Sequence, residues 1–226
     1  MLALLIGAVG GLIATLFSIV LNVLLAGVWE HWQPALSGTL ENIGMADWFS
    51  ILIITTLGGL LVGFCLKTMG VPGEIAAVVD NIHLKGGRLD PKQSPSMAIT
   101  ALTSIAAGGS AGPEAPLVQI IGSLGSKLAD VLKLREGEVR TLTFCGMAAA
   151  LGAFFGAPLG GALFALEIPH RNGLEYFEAI IPAVVSAFVA FYVFASFGGF
   201  HHPLYPLPEL SGAEFMPSVG IAIGLG

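Results

Sequence analysis

Three runs of this chain, residues 1–29, 48–66 and 179–200, contain no charged side chain. Each is long enough to cross a bilayer, since a helix rising 1.5 Å per residue needs about 20 residues for a hydrocarbon core of roughly 30 Å. Composition agrees: 55% of the 226 residues are hydrophobic and 11% charged, with 31 glycines, whereas a soluble domain carries about a quarter of its residues as charges. Nine Lys plus Arg stand against fifteen acids and form no basic run, which excludes nucleic acid as a partner. The first run has no basic leading segment and is too long and glycine-rich for a cleaved signal, so it reads as a transmembrane helix. Gly7 and Gly11 give it the small-residue spacing that suits close helix packing in lipid. Cys65 and Cys145 each lie in an apolar run and read as separate buried thiols.

The placement of positive charge constrains topology further. No Lys or Arg precedes Lys67 or follows Arg171, and between them the bases fall at Lys67 to Lys92, at Lys127 to Arg140 and at Arg171. By the positive-inside rule these stretches are cytoplasmic, and the base-free linkers at about 30–47 and 200–216 face outward. The chain then leaves the inside near Lys92 and is back by Lys127, and leaves near Arg140 and is back by Arg171. Two full spans need roughly 40 residues and a turn, so each excursion must contain short, broken helices that meet inside the membrane. Breaks stand where they are needed: Gly108 to Pro116 in the first excursion, Gly156-Ala157-Pro158 in the second, and Gly70-Val71-Pro72-Gly73 after the helix that starts near Trp48.

Backbone that stops being helical at membrane depth leaves N–H groups that only protein, water or a ligand can satisfy. A helix N-terminus adds a positive dipole end, so N-termini converging in the membrane make an anion site without a basic side chain. Glu114 is the single charge between Gln93 and Ser126 and sits at a break, flanked by Pro113 and Pro116. A carboxylate there is expensive and points to function. Ionised, it occupies the anion's place at the orphan N–H groups; protonated, it leaves, which makes a gate and a route to proton coupling.

At these residues the sequence resembles the voltage-gated chloride channel (ClC) family of channels and proton-coupled anion antiporters. The stretch GGSAGPEAPLVQIIGSLGSKLADVL, Gly108 to Leu132, is similar to the family's GREGP motif with its following PxVQIG; GMAAALGAFFGAPLGGALFALE, Gly146 to Glu167, is similar to its GAAAGxAAAFNAPLxGxLFxxE; and Met69-Gly70-Val71-Pro72 with Gly73, Glu74 and Ile75 stands in the place of its GSGIPE. The resemblance implies an all-α integral membrane fold with broken and re-entrant helices, about seven or eight helical segments, one half of an inverted repeat pair. Residues 1–226 would form the N-terminal half of the transmembrane domain, with Pro217 to Gly226 opening the next helix and a further half supplying more helix N-termini and an aromatic hydroxyl. It also implies a bound chloride or other halide without other cofactor or metal, a homodimer meeting at Leu159 to Leu166 and Ile180 to Ala195, and a multi-pass protein of the plasma or inner membrane.

Carried over by position, Glu114 is the gating glutamate, and the ion-binding residues are Met69, Gly70, Val71 and Pro72 with Gly112, Pro113, Glu114 and Ala115, the ion sitting where the helices beginning near Val71 and Glu114 converge. Met69 stands where the family usually has a coordinating serine and Pro113 where it has arginine, which removes one hydroxyl and one backbone donor and keeps fluoride open beside chloride. On the proton path, Ile168 replaces the internal glutamate and Glu167 aligns with the residue before it. The apolar Ile168 favours a passive channel or a proton that travels elsewhere.

Competing readings are weaker. Gly108 to Gly112 matches the GxSxG of serine hydrolases, with Ser110 as nucleophile, but no histidine lies in an apolar run to serve as its base. An assembly half without transport of its own is a third reading. Met69 reads as packing, Glu167 as an interfacial acid, and the histidines at 31, 83, 170, 201 and 202 as solvated, His201-His202 lacking the further ligands of a metal site.

Overall fold

A computed structural model of the chain describes residues 1–71, 73, 75–110, 112–169 and 176–197; these form helices and connecting turns, with no strand among them. The first charge-free run is helix α1 (Leu2–Ala26), which passes through a π-helical segment, Gly27–Trp32, into α2 (Gln33–Glu41). The helix therefore extends through most of the stretch expected as an outward linker at about 30–47, and only residues 42–47 turn back. Residues 30–41 end the charge-free run but stay helical, and Pro34, at the start of α2, removes one backbone donor just after the π-helical segment. The turn closes through Gly44 at φ +78, and α3 (Trp48–Met69) follows.

The broken helices of both excursions are present. After α4 (Ile75–Leu84) come α5 (Ser94–Ala106) and α6 (Glu114–Val131), then α7 (Glu136–Phe154) and α8 (Pro158–Glu167), and the last charge-free run forms α9 (Phe177–Ser196). The chain turns at Gly108, φ +92, and at Gly156, φ +66, conformations that glycine adopts without strain. Runs Leu2–Glu41, Trp48–Met69 and Phe177–Ser196 are long and apolar enough to cross a membrane.

Helix α7 is the axis of the bundle, buried from Val139 to Ala153 apart from Arg140 and Thr141. Its neighbours approach so closely that several contacts require glycine. A Cβ on Gly146 would overlap the carbonyl of Ile121 in α6, and one on Gly125 would overlap the carbonyl of Leu142. On α1, a Cβ at Gly7 would stand 2.5 Å from the Ser186 carbonyl and one at Gly11 2.7 Å from that of Ala190, so the small-residue spacing seats α1 on α9. Lipid offers no hydrophobic driving force between helices, so this backbone proximity is what holds them by van der Waals contact.

The basic residues around Arg88 meet the Lys127 to Arg140 stretch, while Arg171 lies outside the described residues. Arg88 pairs with Asp130 at 2.8 Å, and Thr143 Oγ1 donates to the Gly87 carbonyl at 2.7 Å. Cys145 is buried and Cys65 is only partly so, both as free thiols. The expectation of two buried thiols thus fails at Cys65, because Ser50 is the one buried residue of α3.

Candidate functional site

The break before α6 is built around Glu114, the first residue of that helix, with Pro113 as its N-cap. Pro116 has no N–H, and the Leu117 N–H donates to the Pro113 carbonyl at 3.1 Å. This leaves the N–H groups of Glu114 and Ala115 without a partner among the described residues. The Glu114 side chain curls back over the exposed Gly112, its carboxylate filling the space that a Cβ on residue 112 would need. Pro113 is buried while Glu114 and Ala115 are half-buried. The carboxylate therefore lies at the electropositive start of its own helix, over a residue that has no side chain to exclude it.

The second break follows Met69, the last residue of α3, 42% exposed. Gly70 takes φ +85 and ψ 157, a conformation nearly confined to glycine, and this reverses the chain. Two side chains at the start of α5 hold the segment. Ser96 Oγ donates to the Gly70 carbonyl at 2.7 Å, and the Gly73 N–H donates to Gln93 Oε1 at 3.1 Å. Val71 is 81% exposed, Pro72 lies outside the described residues, and α4 starts at Ile75 rather than near Val71.

The distance between the breaks follows from the hairpin of α5 and α6. Ser94 Oγ and Ser123 Oγ are 3.2 Å apart, which aligns the start of α5 with the middle of α6. Glu114 stands nine residues before Ser123, about 13 Å along the axis, and Ser96, which holds Gly70, is about 3 Å up from Ser94. The breaks are thus separated by about 10 Å along α5.

The other sequence-selected residues spread out. Glu167, the last residue of α8, is exposed, and Ile168 is half-buried against the core. Ser110 is exposed, and the two described histidines bond elsewhere: His31 Nδ1 lies 3.2 Å from the Ala26 carbonyl, and His83 spans the Pro169 carbonyl and the Tyr176 hydroxyl. His83 departs from the expected solvated surface. It is half-buried at the inner end of α8, and Tyr176 beside it packs on Phe144 with the Arg140 guanidinium 5.1 Å above its ring. No local pattern foretold this, because the partners lie 86 and 93 positions away. His170, His201 and His202 lie outside the described residues.

Comparison with known proteins bears on this arrangement of breaks. The model of the voltage gated chloride channel family matches residues 58–226, which include both breaks and Glu114. The chain belongs to this family. It is 31% identical over 199 residues to a ClcB-like chloride channel protein of Ralstonia nicotianae, covering 84% of this chain and 46% of that one. It is 31% identical over 153 residues to a chloride/fluoride channel protein of Pseudomonas syringae, covering 67% and 34%. With an H(+)/Cl(-) exchange transporter ClcA of Vibrio vulnificus it shares 28% over 238 residues, covering 99% and 49%. The crystal structure of a CLC-type fluoride/proton antiporter superposes with a TM-score of 0.66 at 23% identity, over 99% of this chain and 54% of that one. The fold is therefore of the ClC type, and the chain spans about half the length of these relatives.

Proposed function

We propose that the protein moves a small inorganic anion, chloride or fluoride, across a membrane, with Glu114 as the gate. The observation that carries this reading is the Glu114 carboxylate lying over Gly112 at a helix start where the N–H groups of Glu114 and Ala115 have no partner among the described residues. A halide is the other anion that fits such a place. An anion displacing the carboxylate would be held by those N–H groups, and the break at Gly70 and Val71, about 10 Å further along α5, would form the next station. Met69 offers no hydrogen-bond donor there, so the ion's shell must come from backbone N–H groups and from outside this chain. The basic stretches that meet at the Arg88–Asp130 end would face the cytoplasm. The test is chloride, fluoride and proton flux in one preparation of protein-bearing liposomes. One or both halides should move well above protein-free vesicles, and flux of neither would overturn the reading.

Proton coupling is expected to be weak. Ile168 has no titratable group, and Glu167 ends α8 facing outward. In a chloride gradient without other driving force, uphill proton movement should stay near the leak of empty liposomes. A robust flux in fixed ratio to the halide would contradict this.

A homodimer is part of the same proposal. Leu159, Leu163 and Phe164 on α8 and Ile181, Phe188 and Tyr192 on α9 are all exposed in the single chain, forming an apolar face alongside the core. Single-molecule photobleaching in liposomes should count two subunits, and Ile181→Trp with Tyr192→Ala should shift the count toward one. An unchanged single-step count for the unmodified protein would exclude the dimer.

A further inference from the structure

We propose that Trp29 is a positioning residue for the gate, acting through the turn that carries Glu114; the inference deepens the gating reading above and rests on it. At the end of α5 the turn amides between them take up the Thr103, Ser104 and Ile105 carbonyls. Ala107 N–H donates to Thr103, Gly108 N–H to Ile105 and Gly109 N–H to Ser104. The Ala106 carbonyl comes next and takes its partner from another helix: Trp29 Nε1 donates to it at 3.0 Å across 77 positions of sequence. The same indole lies against Gly108, where a Cβ would stand 3.0 Å from the ring, in a backbone at φ +92 that other residues adopt only with strain. One side chain thus supplies the missing donor and packs the left-handed turn.

Trp29 reaches this position because it belongs to the π-helical segment Gly27–Trp32, between two stretches of regular helix. A π-bulge changes the phase of the side chains that follow it, and such bulges concentrate at functional sites. Beyond Gly109 the chain runs through exposed Ser110 and Gly112 to the buried Pro113 and to Glu114. The turn that Trp29 fixes is therefore the upstream anchor of the segment over which the carboxylate folds. On its own helix, Trp29 has Glu30 and His31 as titratable neighbours, both exposed; residues 48–66 of α3 and 93–113 of α5 and its turn carry no charge. Glu114 is the one carboxylate on the segment that this turn leads into.

Trp29→Phe keeps the ring and removes the N–H. In the full protein reconstituted in liposomes, losing one hydrogen bond from the anchor should raise halide flux at neutral pH about three- to tenfold, with a smaller rise on acidification than in the unmodified protein. Combined with Glu114→Gln it should change flux no further. A merely structural role would lower flux by the same factor in both backgrounds, and that result, or an unchanged pH profile, would overturn the inference. Hydrogen–deuterium exchange reads the anchor without any ion: Trp29→Phe should speed exchange of the Ala107, Gly108 and Gly109 amides and leave α7 as it was, and unaltered exchange would also overturn it. Gly108→Ala, which pushes against the ring, should change exchange and flux in the same direction. If Glu114→Gln keeps its pH dependence, the gating reading fails while the exchange result still decides the anchoring role.

Discussion

Glu114→Gln is expected to leave halide flux in place and to remove most of its dependence on pH. The carboxylate lies at the start of α6, above Gly112, and in the proposed gate it would compete, ionised, with the anion for the N–H groups of Glu114 and Ala115. In that proposal, protonating the carboxylate would free the place, so flux should rise as pH falls. A carboxamide of the same shape carries no charge to be held there. A carboxylate at a partly buried helix start gains up to about 2 kcal/mol from the dipole, and at 1.4 kcal/mol per tenfold this corresponds to about thirtyfold in occupancy. Flux at neutral pH should therefore rise about tenfold or more and the ratio of acid to neutral flux should fall toward one. An unchanged ratio, measured by halide efflux from liposomes across pH, would remove Glu114 from the gate.

Gly112→Ala should produce a related effect by a different route. The added Cβ occupies the space that the Glu114 carboxylate fills, so the carboxylate must vacate its seat while keeping its charge. Neutral-pH flux should rise about fivefold or more, a little less than for Glu114→Gln because the displaced charge still stands nearby and opposes an arriving anion. Because both changes act on one group they should not add, and the double variant should behave as Glu114→Gln alone. A fall in flux of equal size with and without Glu114 would show that Gly112 matters for the fold and not for the carboxylate.

Much of this architecture is readable in the chain before any coordinates. The charge-free runs became α1, α3 and α9, and the excursions too short for paired spans became the pieces α5 with α6 and α7 with α8. Gly70, Gly108 and Gly156 stand between helices, and Pro116 and Pro158 fall in the first turns of α6 and α8, because their backbone chemistry is local. What escaped the sequence depends on contacts distant along the chain. Residues 30–41 look like a polar linker, yet a helix interrupted by one π-helical segment continues through them. His83 looks solvated until α4 meets Pro169 and Tyr176, and Cys65 looks buried until α3 proves to bury only Ser50. At the candidate site, the isolation of Glu114 was legible, because a lone charge in an apolar stretch is visible by counting. The spacing between the two breaks was not, since it is set by Ser94 meeting Ser123 and by Ser96 holding Gly70.

The most direct test of the account asks what lies at the start of α6 when the carboxylate is gone. Anomalous diffraction from Glu114→Gln crystals grown in bromide should show a halide within about 3.5 Å of the N–H nitrogens of residues 114 and 115, a charge-assisted contact stretched by the larger ion, and the unmodified protein at neutral pH should show the carboxylate there instead. Bromide absent from that position in the variant, or bound there beside an unmoved carboxylate in the unmodified protein, would contradict the competition on which the gate depends.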